Sequence, residues 1–169
     1  MMKKFGGLLV LTLLFSGSVV AQKYGHLNYG NLLSMMPEVQ AANSTLETYR
    51  EGLIAKGEAM AKEFQTDYGQ FVASVQAGEL SPVQQQQQQE ALEKKQQEIA
   101  SYEQLVAQQV QAKRAELLEP IMQKLEKAIA DVAQENGYVM VFDTSVFNAI
   151  LFAQDTDDIM PLVKAKLDI

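Results

Sequence analysis

The chain has 169 residues, 14 of them basic and 21 acidic, a net charge of −7 at neutral pH, and neither cysteine nor tryptophan. Without cysteine there is no disulfide, no thiolate metal site and no thiol nucleophile. The acidic balance argues against general nucleic-acid binding, which needs clustered Lys and Arg against phosphate.

The N-terminus reads as an export signal. Lys3 and Lys4 precede an apolar run from Leu8 to Phe15, and small residues at Val19 and Ala21 fit cleavage after Ala21. A retained anchor is the competing reading, but the run is well short of the ~20 residues that span a bilayer. No cysteine follows it, so a lipid anchor at this site is excluded. The mature chain, 22–169, carries a net charge of −9 and amounts to one ordinary domain. No later segment is apolar enough to predict stable membrane insertion.

The segment with Tyr24, His26, Leu27 and Tyr29 is short and strand-like, and Leu32, Leu33, Met35 and Met36 suggest a brief helical turn before Pro37. From there to Asn136 the apolar residues recur at spacings of three and four, the seam pattern of a coiled coil. In a first arm they are Leu46, Tyr49, Leu53, Met60, Phe64, Tyr68, Phe71 and Val75; in a second they run from Leu92 and Ile99 through Tyr102 to Val132. Residues 76–82 divide the arms. Gly78 reads as a helix stop, and Ser81 with Pro82 as a cap and first helical position. The arms therefore fold back as an antiparallel hairpin. At ~1.5 Å per residue they extend roughly 60 and 80 Å. Pro120 is expected to kink the second arm.

After Gly137 the period changes. Tyr138–Phe142 reads as a strand, Asp143–Ser145 as a turn, Ala149–Phe152 as a further strand, and Pro161 opens a short terminal helix. The expected fold class is α+β, with a small head in two parts, 22–36 and 120–169, and a hairpin arm over 37–119.

Catalytic signatures are missing. His26 is the lone histidine, so it reads as structural rather than as a metal ligand. Asp143, Asp155, Asp157 and Asp158 lack the spacing and glycine of a calcium loop. The Glu residues of the arms are interleaved with Lys and Gln, and no phosphate loop or nucleophile motif is present. We expect no enzyme and no cofactor. The Gln84–Gln89 tract reads as a solvated helical face.

Shape and apolar surface remain. A two-helix hairpin cannot bury every large apolar residue in its own seam. Leu53, Met60, Phe64, Tyr68, Phe71, Val75, Leu92 and Ile99 are thus both hairpin core and candidate contacts for unfolded chains. Gly52, Gly57 and Gly69 interrupt the first arm, by drift or to let it bend. The head has few short strands, and an isolated sheet that small is marginal. Strands from several subunits closing one β-barrel would relieve this.

The leader, the segment YGHLNYGNLL (24–33), the long hairpin, GYVMVFDT (137–144) and residues 149–167 with Asp158-Ile159 together resemble the Skp/OmpH family of periplasmic chaperones. The resemblance implies homotrimers whose strands form one barrel head. It implies three helical arms around a cavity that holds unfolded outer-membrane proteins without ATP. On that likeness Leu27, Tyr29, Val139, Val141, Phe142, Ile150 and Phe152 belong to the head core or the oligomer interface. Two departures stand out. Residues 38–119 hold thirteen acidic and seven basic residues, whereas the family's best-known arms are basic, so lipopolysaccharide binding does not carry over. Met160 precedes Pro161 without a capping oxygen, which predicts a weaker helix start. A structural coiled-coil scaffold of the cell envelope is the alternative function.

Overall fold

The computed structural model describes residues 22–169; the expected leader and its cleavage site after Ala21 lie outside them. The elements run β1 (Lys23–Leu27), α1 (Tyr29–Met35), α2 (Pro37–Gln76), α3 (Pro82–Glu135), β2 (Tyr138–Asp143), a 3-10 turn (Asp155–Asp157) and α4 (Met160–Leu167). β1 and β2 form a two-stranded parallel sheet, with Tyr24 against Met140 and Leu27 against Asp143. Parallel neighbours cannot be joined by a tight turn and need a crossover. Here the crossover is α1 plus both long helices. The two ends of the described chain therefore build one head, and what lies between them projects as an arm.

The head core is small and dense. Leu32, Met36, Leu125, Ile159 and Val163 are fully buried, with Leu27, Ile121, Ala128 and Val132 around them. Each fully buried aliphatic side chain of this kind contributes about 1.5–3 kcal/mol. Every strand and helix of the head, the 3-10 turn aside, supplies at least one of these residues or packs on them. α1 begins at Asn28, whose side-chain oxygen accepts from the Asn31 N–H at 2.8 Å. The C-terminal segment closes over the free edge of β1: the Ile159 N–H donates to the His26 carbonyl at 2.9 Å, and His26 bridges Asp158.

The arm is held differently. α2 has 40 residues and α3 has 54, so they reach roughly 60 and 80 Å at ~1.5 Å per residue. The hairpin tip follows its sequence signals. Gly78 has a φ of +69°, a left-handed conformation that favours glycine. Its N–H and that of Glu79 donate to the carbonyls of Val75 and Ser74, both at 3.1 Å, which closes α2 in a Schellman motif. Ser81 and Gln84 then form a reciprocal capping box, with Pro82 as the first helical residue. α3 stays helical on both sides of Pro120.

Two expectations fail. Ala149–Phe152 is not a strand: residues 144–149 form turns and 150–154 are irregular. A strand needs a neighbour for its backbone groups, and the free edge of β1 is met instead by Asp158 and Ile159. The start of α4 is also better satisfied than expected. The capping position is Ile159, not Met160, and it makes no side-chain bond. Instead the Asp158 carboxylate accepts from the Met160 N–H at 2.8 Å, offsetting the missing cap.

Gly57 explains itself by contact. A Cβ there would lie 3.3 Å from the Tyr102 ring, whereas at Gly52 and Gly69 nothing stands within 4 Å. Gly52→Ala and Gly69→Ala should each stabilise the arm by about 0.4–1 kcal/mol. Gly57→Ala should show no such gain. Hydrogen exchange along α2 and α3 checks this; equal protection in all three variants would refute the packing role of Gly57.

Candidate functional site

Large apolar side chains are incompletely buried in two places: the open face of the head and the flanks of the arm. In the head, alternation along the paired strands puts Tyr24, His26, Met140 and Phe142 on one face, and Gly25, Leu27, Val141 and Asp143 on the other. The second face meets the core. Leu27 is buried, and Val141 and Tyr138 pack against the core. Among the described residues nothing covers the first face fully. Tyr24, Met140 and Phe142 stay exposed, and the Tyr24 and Phe142 rings lie 6.4 Å apart.

The loop after β2 enlarges this apolar surface. Phe147, Leu151 and Phe152 are 90%, 89% and 81% exposed, and Val146 is exposed beside them. Asn148 turns the loop with a φ of 58°. Ile150 and Phe152 join Tyr24, His26 and Phe142 around an open groove of about 470 Å³. A second groove, about 360 Å³, runs between β2 and α3, lined by Val139, Val141, Ile129 and Ala133. Exposed apolar surface on this scale marks an interaction site rather than a finished surface. His26 sits at the margin, its Nε2 3.0 Å from the Gln154 carbonyl.

A carboxylate locks the end of the sheet. Asp143 accepts from the N–H groups of Tyr29 (3.1 Å) and Ser145 (2.8 Å) and from the Ser145 hydroxyl (2.7 Å). Burial alone would push its carboxyl up, but the Ser145 hydroxyl and the two N–H donors together hold it below the ordinary 3.8. Burial and the nearby Glu126 and Asp143 carboxylates push the Tyr29 phenol up.

Along the arm the seam is one residue wide. Of the eight arm positions singled out in the sequence, Leu92 alone is buried. Leu53, Met60, Phe64, Phe71 and Ile99 are half-buried, while Tyr68 and Val75 are exposed. Phe64 and Tyr68 stack at 6.1 Å. Tyr102 is the strongest tie between the helices. It is 8% exposed, rests on Gly57, and its hydroxyl donates to the Leu53 carbonyl at 3.0 Å. Nearer the tip, Lys95 of α3 pairs with Glu63 at 2.6 Å and with Asp67 of α2. The Asp67 and Glu63 carboxylates raise its pKa.

Of the head residues expected in the core or an interface, Leu27 is buried, and Tyr29, Val141 and Ile150 are half-buried. Val139, Phe142 and Phe152 are exposed. The sequence reading missed Phe147 and Leu151, whose run of apolar neighbours looked like a strand. It also missed Ile54, which is exposed beside Leu53 and lies off the seam spacing.

Among the described residues no helix is long and apolar enough to cross a membrane. The family model described as outer membrane protein (OmpH-like) matches residues 23–167. A crystal structure of a candidate OmpH-like outer membrane chaperone from Caulobacter crescentus CB15 is similar in fold. Its TM-score is 0.73 at 19% identity, covering 87% of this chain and 84% of that one. No curated protein matches.

The Asp143 lock implies acid sensitivity. In the unfolded chain this carboxyl protonates near 3.8, and in the folded head only at lower pH. Its stabilisation is therefore complete above that value and lost as pH falls through the folded one. Asp143→Asn should lower stability at pH 7 while flattening the acid limb below pH 4, read by denaturant melts across pH. An unchanged acid limb would remove Asp143 as its source.

Proposed function

This chain belongs to the OmpH-like family, and we propose that it is an exported, ATP-independent holdase chaperone of the periplasm. In this reading several copies, three by the family likeness, join through their heads. Their arms surround a space in which unfolded outer-membrane proteins are kept from aggregating. The leader 1–21 carries the chain out and is removed after Ala21. Residues 22–36 and 120–169 form the head, and 37–119 form the arm.

One observation carries the reading: a dense head with an uncovered apolar face bears an arm whose apolar residues exceed what its seam can bury. The head face suits assembly. β2 has a free edge, a parallel pair alone is marginal, and Phe147, Leu151 and Phe152 gain little by standing in water. A neighbouring copy would pair that edge and cover those side chains, closing a shared barrel. Val139, Val141, Phe142 and Ile150 then meet the neighbour, while Leu27 and Tyr29 support them. The arm suits capture. Its half-buried stripe from Leu53 to Ile99 offers aliphatic, aromatic and methionine side chains that adapt to varied partners. A surface without fixed geometry tolerates many clients, and nothing in the sequence calls for nucleotide chemistry.

The mature chain should run as a trimer in mass photometry. At substoichiometric levels, without nucleotide, it should keep a urea-diluted outer-membrane β-barrel protein soluble. Replacing Phe147, Leu151 and Phe152 together by Ser should dissociate it into helical monomers and abolish protection. A well-folded monomer that protects clients fully would overturn the assembly. A stable oligomer that protects nothing would favour the scaffold.

A further inference from the structure

Midway along the arm the two broad faces of the hairpin differ in chemistry. On one, Tyr102 meets Gly57, and the absence of a side chain at Gly57 opens a groove of about 420 Å³ walled by Ile54, Ile99 and Val106. Its remaining polar lining is Glu58 from α2 and Glu103 from α3. Both are exposed, and among the described residues neither has a cation within ion-pair distance. On the other face the groove beside Tyr102 is lined by Lys56, Met60 and Leu105 and by Lys94 paired with Glu98 at 3.8 Å, and Lys56 lies over the Tyr102 ring at 5.2 Å.

We propose that the groove at Gly57 is a seat for an extended peptide segment in which an apolar side chain is flanked by lysine or arginine. This rests on the holdase reading and names the client chemistry it favours. The apolar floor would take the client's aliphatic or aromatic side chain and cover exposed Ile54. A cation one or two residues away on an extended chain then reaches Glu58 or Glu103. Two unpaired carboxylates beside an apolar wall attract a cation more strongly than isolated ones in bulk water, because the wall lowers the local dielectric. The same carboxylates repel an acidic flank. The excess of acid along residues 38–119 extends the preference beyond the groove and opposes a second arm docking there by its acidic side.

The test uses the assembled protein and three dye-labelled peptides with one Leu-Phe core, flanked by Lys, Ser or Glu, followed by fluorescence anisotropy. The Lys-flanked peptide should bind tightest, about fivefold over Ser at low salt, with Glu weakest and the spread shrinking as salt is added. Glu58→Gln with Glu103→Gln should erase the Lys preference and leave the Ser-flanked peptide unchanged. Ile54→Ser should weaken all three. A Lys preference that survives the double substitution, or none in the unaltered protein, overturns the proposal while client protection stands. A shift in oligomer mass on the double substitution would overturn it in favour of arm-to-arm contact. Loss of client protection in the unaltered protein would instead sink the holdase reading and this proposal together.

Discussion

The parallel pairing of β1 with β2 is the constraint on which the molecule depends. Strands that run the same way cannot be closed by a hairpin turn, so the chain must leave the head and return. It does so through α1 and two helices of 40 and 54 residues. The register, Tyr24 against Met140 and Leu27 against Asp143, fixes which face is dry. Leu27 and Val141 go to the core, and Tyr24 and Phe142 go to the open side. A slip of one residue would exchange the two sets. Asp143 guards against that slip by holding the end of β2 to the first turn of α1.

Burial is divided unequally, and this gives the two ends of the molecule different work. Among the described residues the largest fully buried side chains all lie in the head. Two packed helices share one line of contact, so along the arm most apolar groups keep one side in water. Its cohesion comes instead from helix propensity and a few cross-helix ties, Tyr102 on Gly57 and Lys95 with Glu63 and Asp67. Exposed ion pairs add little, so the Tyr102 contact outweighs them. An arm tied at intervals can change shape between ties without the head unfolding, since local opening is cheapest where few apolar contacts hold.

Most of the architecture was legible in the sequence because its signals are local. Gly78, Ser81 and Pro82 mark the tip through backbone chemistry that needs no distant partner, and Gly137 ends α3 for the same reason. The seam residues show through their spacing. What could not be read depends on partners far along the chain. Ala149–Phe152 has the composition of a strand, yet strand formation is decided by who lies beside it. Asp158 lies two residues before Met160, but its service to that N–H depends on the turn between them. Gly57 looked like Gly52 and Gly69; only the approach of Tyr102, 45 positions away, separates them. Ile54 and the acids beside it lie off the seam, so the spacing of the apolar stripe does not mark them.

The charge of the arm finds its place in this division between floor and rim. Apolar floors supply affinity without regard to sequence, because burial is non-directional. Charges at a rim contribute little affinity but sort partners by sign and by rate of encounter. An arm with a fixed apolar seam can therefore reverse its surface charge without losing its apolar floor, provided that the charges stand outside the seam. Here Glu58 and Glu103 are exposed beside Tyr102, the buried side chains of the arm, Ala42, Leu92 and Tyr102, carry no formal charge, and the half-buried Lys95 and Asp67 pair across the seam. Packing and surface charge are thus carried largely by different residues on the same helical turns, and the surface charge can vary while the fold that Leu125, Ile159 and the paired strands secure does not.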